Sequence, residues 1–255
     1  MRAASTAVFS QRHQYILMWC NLRPRQLLVL MDFTSAPLAD KPGAGTVVQD
    51  CIVVMEYRDA NNSIVRRNFD FLCASDTNQH DFHFVLQVWV WLFLHEHLND
   101  RFDAIDLWSD GGPHHFKTRY CQFMWHALSS LRFDSKSITH HFFASYHGHS
   151  LADGHAAVIQ RCLHTRYLAS EHDRHQSNPS ATFGPATVAA VADSICKECQ
   201  NTTAVVFPHI EREDKIKQRV KAIKDIKQRH SFTYGAGVCY AQDQTNDDVR
   251  YSFEF

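Results

Sequence analysis

The sequence predicts an α/β domain on a mixed sheet flanked by helices, with three antiparallel strands first and then helices alternating with parallel strands. Three observations predict it. Three long apolar runs near the start are separated only by turn-forming residues. Helical and extended patterns alternate further along. One aspartate, Asp32, interrupts the first apolar run. The 255 residues are 45% hydrophobic and 12% aromatic, enough for the core of one large domain. Charged residues make up 21%, which argues against wholesale disorder. The net charge of -1 counts mildly against a nucleic-acid partner, although a local basic face suffices for one.

Residues 1–25 have weak periodicity, end in Arg-Pro-Arg, and read as a loose lead-in or the remnant of a helix. RQLLVLMDFTS is a continuous apolar run closed by polar residues, as in a buried strand. ADKPGAG is a turn, TVVQDCIVVMEYRD a second strand, Asn61-Asn62 a tight turn and SIVRRNFDFLC a third strand. So short a connection implies antiparallel pairing. SDTNQHDFHFVLQVWVWLFLHEHLND is long enough for a helix, with Ser75, Asp76 or Thr77 as its cap.

DAIDLWSD is a fourth strand, broken by Gly-Gly-Pro. HHFKTRYCQFMWHALSSLRF carries Phe116, Tyr120, Phe123, Met124, Ala127, Leu128 and Leu131 at helical spacing. SITHHFFAS is a fifth strand and LADGHAAVIQRCLHTRYLAS a helix. Strands joined through helices are parallel, with right-handed crossovers. Over residues 26–172 this order resembles an RNase H-like sheet, whereas a doubly wound sheet places a helix after its first strand. Residues 173–255 read as a C-terminal extension: a polar loop, a short helix over Ala186 to Cys199, a basic segment at 211–230, and one or two short strands.

The eight cysteines form no compact disulfide framework, which implies a reducing compartment. The N-terminus lacks the apolar core of a signal peptide, and the most apolar run, Phe84 to Leu94, is too short to span a bilayer. The 18 histidines read as a compositional bias, mostly solvated or in polar contacts.

Asp32 inside the first strand, Asp110 past the end of the fourth, and Asp153 at the start of the last helix fall at corresponding places in this order. With the first and fourth strands as neighbours, two of these aspartates stand side by side and the helix brings the third. Three clustered carboxylates require cations, and hard carboxylate oxygens suit Mg2+ or Mn2+. Two such ions activate a water or 3′-hydroxyl and stabilise the leaving oxygen of a phosphodiester. The plainer readings are a strand-end cap for Asp32, a turn aspartate for Asp110 and a helix N-cap for Asp153.

Around these residues WSDGGPHHFKTRYCQF resembles a segment of DDE/D-type DNA transposase-derived proteins, in which a strand ends in Ser-Asp-Gly and a helix opens with Phe-Lys. FFASYHGHSLADGHAAVIQR is similar to a later segment, matching at Asp153-Gly154 and Arg161, and KAIKDIKQRHSFTY to one beyond the catalytic core. The resemblance runs from Leu27 to Tyr234. It departs at His149 and Gln160, where the family has lysine, and at His155-Ala156-Ala157, where it has a glycine pair.

The resemblance implies a nuclear, metal-dependent polynucleotidyl transferase or nuclease whose partner is DNA. Asp32, Asp110 and Asp153 would be its catalytic metal ligands, Lys117 and Arg161 would contact the phosphate backbone, and His147 would be an auxiliary acid. The alternative is a catalytically inactive, domesticated transposase domain that binds nucleic acid or protein.

A third reading is a zinc module. Cys196-x-x-Cys199 has zinc-ligand spacing, with His209 and His230 as candidate partners. Two cysteines on a surface helix explain the pair as well. The basic segment tracks nucleic acid or is a solvated helix face. No phosphate-cradling Gly-rich loop, nucleophile elbow or dinucleotide fingerprint is present.

Overall fold

The apolar runs form long strands because both faces of the sheet are covered. In the computed structural model β1 (Gln26–Pro37), β2 (Val47–Arg58) and β3 (Ile64–Ser75) pair antiparallel. The structure describes the chain apart from residues 1, 38–46, 76–79, 113–114, 134–135, 144–150, 177–184, 213–219, 224, 236–237, 244–250 and 254–255. Asp59 shapes the turn between β2 and β3, its carboxylate accepting from the N–H groups of Asn61 and Ser63 at 2.9 and 2.8 Å. Asn62 takes a left-handed φ of 62°, which asparagine tolerates.

The chain then crosses through α2 (Phe82–His95) and the short α3 (Leu98–Arg101) to β4 (Ala104–Asp110), and through α4 (Arg119–Arg132) to β5 (Ser137–Phe143). β4 lies parallel to β1, and β5 parallel to β4, as the sequence predicts. α2 is capped by Asp81, whose carboxylate accepts from Phe84 N–H, and not by Ser75. Asp76 and Thr77 lie outside the described residues. Ser75 instead ends β3, so no cap is available there.

α5 (Leu151–Gln176) and α6 (Pro185–Glu198) follow, the latter within a residue of its predicted span. β6 (Thr202–Val206) returns to pair parallel with β3 at one edge of the sheet. β7 (Ser231–Gly235), β8 (Val238–Gln242) and β9 (Tyr251–Phe253) continue the other edge beyond β5. Among the described residues the order is β6-β3-β2-β1-β4-β5-β7-β8-β9, so the strands of the C-terminal segment belong to the same sheet.

Side-chain alternation assigns the two faces. Leu27, Val29, Met31, Val53, Met55, Phe69 and Phe71 point toward α2 and α4, where Trp89 and Trp125 meet edge to face at 4.7 Å between centroids. Leu28, Leu30, Ile52, Val54 and Trp108 point the other way, toward α1 and α5. Burial of each large side chain contributes about 1.5–3 kcal/mol. A third cluster joins Ile159 and Leu163 of α5 to Val191 and Ile195 of α6 over Val48 and Leu72.

The lead-in is an ordered helix, α1 (Arg2–Cys20). Its anchor is Glu56 on β2, which is 1% exposed and accepts from Tyr15 Oη at 2.6 Å, Trp19 Nε1 at 3.1 Å and Arg66 Nε at 2.8 Å. The weak helical periodicity of residues 1–25 conceals this, because the helix docks through a few side chains, Tyr15, Met18 and Trp19, with the Glu56 hydrogen bonds, and not through a continuous apolar stripe.

Candidate functional site

The last paired residues between β1 and β4 are Met31 and Ser109. Asp32 and Asp110 are the next residue on each of two neighbouring parallel strands, so both side chains leave the same face of the sheet, the one α5 covers. Asp153 lies in the first turn of α5.

Asp32 is half-buried, and Phe33 N–H donates to its Oδ1 at 2.8 Å. Burial, then the charges of Asp153 and Asp110, push its carboxyl up to about 7, against the Phe33 hydrogen bond. Asp110 Oδ2 accepts from Gly112 N–H at 2.9 Å.

The Gly-Gly pair after Asp110 has a steric reason at each position. A Cβ on Gly111 would run into the backbone oxygen of Phe143, and one on Gly112 would stand 2.5 Å from Asp110 Oδ2. Among the described residues no three His, Cys, Asp or Glu side chains stand close enough together to hold one metal ion.

A family model described as a domain of unknown function (DUF8701) matches residues 52–237, well over half of the chain. The chain belongs to the DUF8701 family. No curated protein matches it. The DUF8701 match opens inside β2, so it contains Asp110, Lys117, Asp153 and Arg161, while Asp32 lies ahead of it.

Lys117 is not a solvated helix residue. It precedes α4, is buried, donates from Nζ to the carbonyl of Lys227 at 3.0 Å, and lies 5.0 Å from the centre of the Phe142 ring. Burial lowers its ammonium to about 8, opposed by the charge of nearby Asp110. Arg161 is exposed on α5, next to Gln160, which donates to Thr34 of β1. His147 lies outside the described residues.

The zinc-spaced set is not brought together. Cys196 sits on α6 and Cys199 just past its end, beside β6, where Ala204 N–H approaches Cys196 Sγ at 3.2 Å. His230 adjoins β7 and β8 on the far side of the sheet, its Nδ1 2.7 Å from Gln11 Nε2. Parts of the basic segment serve the fold: Arg212 pairs with Asp81 at 2.8 Å, and buried Arg229 with Asp243.

Sequence reasoning missed a second acidic pair on the same sheet face. Asp50 of β2 and Asp70 of β3 are both fully buried. Burial raises both carboxyls, and the charge of Asp70 raises Asp50 further. His155 of α5 approaches Asp70 Oδ2 at 2.8 Å and holds Asp70 back. Of the two carboxyls Asp50 therefore holds its proton the more strongly, since His155 faces Asp70. Aspartates at alternate strand positions on the covered face were the available signal.

Among the described residues no helix is long and apolar enough to cross a membrane.

Proposed function

We propose that this chain is a metal-dependent domain for DNA strand cleavage and transfer, of the RNase H-like, DDE/D-transposase type. The observation that carries the reading is that Asp32, midway along β1, and Asp110, the last residue of β4, stand side by side just past the last β1–β4 pair, with Asp153 within electrostatic reach on α5. The central strand order β3-β2-β1-β4-β5, antiparallel then parallel, supports the RNase H-like assignment.

Carboxylate oxygens are the donors that a hard divalent cation prefers. Burial first, and then the charges of Asp153 and Asp110, push the Asp32 carboxyl up, and a bound cation would offset both. Asp32, Asp110 and Asp153 would hold Mg2+ or Mn2+, which when bound polarises the phosphodiester and lowers the pKa of the attacking hydroxyl.

The chain's own groups position the reaction. Gly112 N–H fixes the rotamer of Asp110, and Phe33 N–H that of Asp32. Lys117 supplies buried positive charge beside Asp110. Arg161, exposed on the helix that carries Asp153, is placed to meet the phosphate backbone. A nuclear setting accords with DNA as substrate.

A second reading, a catalytically inactive domesticated domain that binds DNA or protein, is favoured by one observation: three carboxylates are not drawn together as the site stands. Incubating the chain with mixed DNA substrates in Mg2+ or Mn2+, beside Asp110→Asn, separates the two. Cleavage by the parent that disappears in the variant supports the enzyme. DNA binding without cleavage in either protein supports the inactive domain.

A further inference from the structure

A cavity of about 590 Å³ opens between α1, the sheet and the start of α5. That is within the roughly 300–1,000 Å³ usual for sites that take small molecules. Tyr15, Trp19 and Phe143 supply aromatic wall and Leu30 an apolar floor. Arg12, Arg66 and its ion-pair partner Glu56, with Asp153 and Gly154, complete the lining.

The walls are held before any ligand arrives. Glu56 takes hydrogen bonds from Tyr15, Trp19 and Arg66 at once, so the aromatic rings and one guanidinium are fixed to β2 and β3. Tyr15 also packs edge to face on Trp108 and Phe143, at 6.0 and 6.1 Å between centroids. Gly154 leaves room, since a Cβ there would meet nothing within 4 Å.

Aromatic walls with flanking guanidinium groups match a planar base joined to a phosphate. The adjoining Asp153 ties the cavity to the carboxylate site. We propose that this cavity receives one unpaired nucleobase of the DNA strand whose backbone lies at Asp32, Asp110 and Asp153, which rests on the DNA-cleaving reading given above. Arg12 and Arg66 meet the phosphate attached to that base. The cavity makes the domain selective for strands with an extruded or terminal base over intact duplex.

The test uses the full chain and short single-stranded DNA carrying 2-aminopurine at successive positions, with Ca2+ present to hold the complex uncleaved. Two variants fill the cavity from opposite walls: Gly154→Phe from α5, and Ile16→Trp from an exposed position on α1. Gly154→Ala is the control. The parent and the control change the emission of 2-aminopurine at one position, whereas both filled variants lose that change and bind roughly tenfold or more weakly.

Retention of the emission change in both filled variants overturns the cavity while leaving the DNA reading intact. Loss in Gly154→Phe alone also overturns it, because that pattern reflects a displaced Asp153. A parent that binds no DNA removes both readings together.

Discussion

The backbone N–H of Gly112 donates to Asp110 Oδ2 at 2.9 Å, and a Cβ on Gly112 would stand 2.5 Å from that same oxygen. A side chain on the residue that orients the carboxylate therefore displaces the oxygen it holds. Gly112→Ala pushes the Asp110 side chain aside, and disturbing such a supporting contact typically lowers metal affinity roughly 10–100-fold. Gly111→Ala meets the backbone of Phe143 instead and costs stability, about 1–3 kcal/mol. Thermal unfolding and Mn2+ titration of the two variants distinguish them: Gly111→Ala shifts Tm, and Gly112→Ala shifts affinity.

Glu56 is the anchor of α1. Glu56→Ala leaves the Tyr15 hydroxyl and Trp19 indole without their acceptor and frees Arg66. Two hydrogen bonds to a buried charged acceptor give an expected loss of about 2–3 kcal/mol, with little added for Arg66, which is 45% exposed. Limited proteolysis of Glu56→Ala cuts within residues 2–25 faster than in the parent. Unchanged proteolysis there contradicts the docking role.

Asp50 governs a pH dependence. Its carboxyl holds a proton well above the ordinary range because it is buried beside Asp70. The folded chain therefore binds more protons than the unfolded chain above the usual carboxylate pKa, and stability falls as pH rises through that window. Asp50→Asn keeps the neutral shape and removes the slope. The variant is more stable than the parent at about pH 7, and the gain vanishes near pH 3, where the unfolded carboxyl is protonated too. A chain of this size shows about 2–4 °C in Tm per kcal/mol. Equal Tm values at both pH settings contradict a buried, proton-holding Asp50.

The strands and the charge inside the first of them were legible because they depend on local pattern, apolar runs and turn residues, and the Asp32–Asp110 juxtaposition followed from reading the element order as an RNase H-like topology. The Gly-Gly pair read correctly as a break, but its contacts with Phe143 and Asp110 depend on packing after the fold forms. The docking of α1 was not legible, since Glu56 meets Tyr15 from 41 residues away within a strand that reads as plain apolar sequence. Nor was the burial of Lys117, whose acceptor is a carbonyl 110 residues distant. Asp70 and His155 likewise meet only because α5 packs across β1 and β2 beside β3.

The most direct test is Mn2+ binding, read by electron paramagnetic resonance, of the parent beside Asp32→Asn and Asp110→Asn. Carboxylates side by side on neighbouring strands predict saturable binding by the parent that weakens at least roughly tenfold in each variant, a loss of about 1.4 kcal/mol. Equal binding by all three proteins, or none by the parent, contradicts a cation site at Asp32 and Asp110.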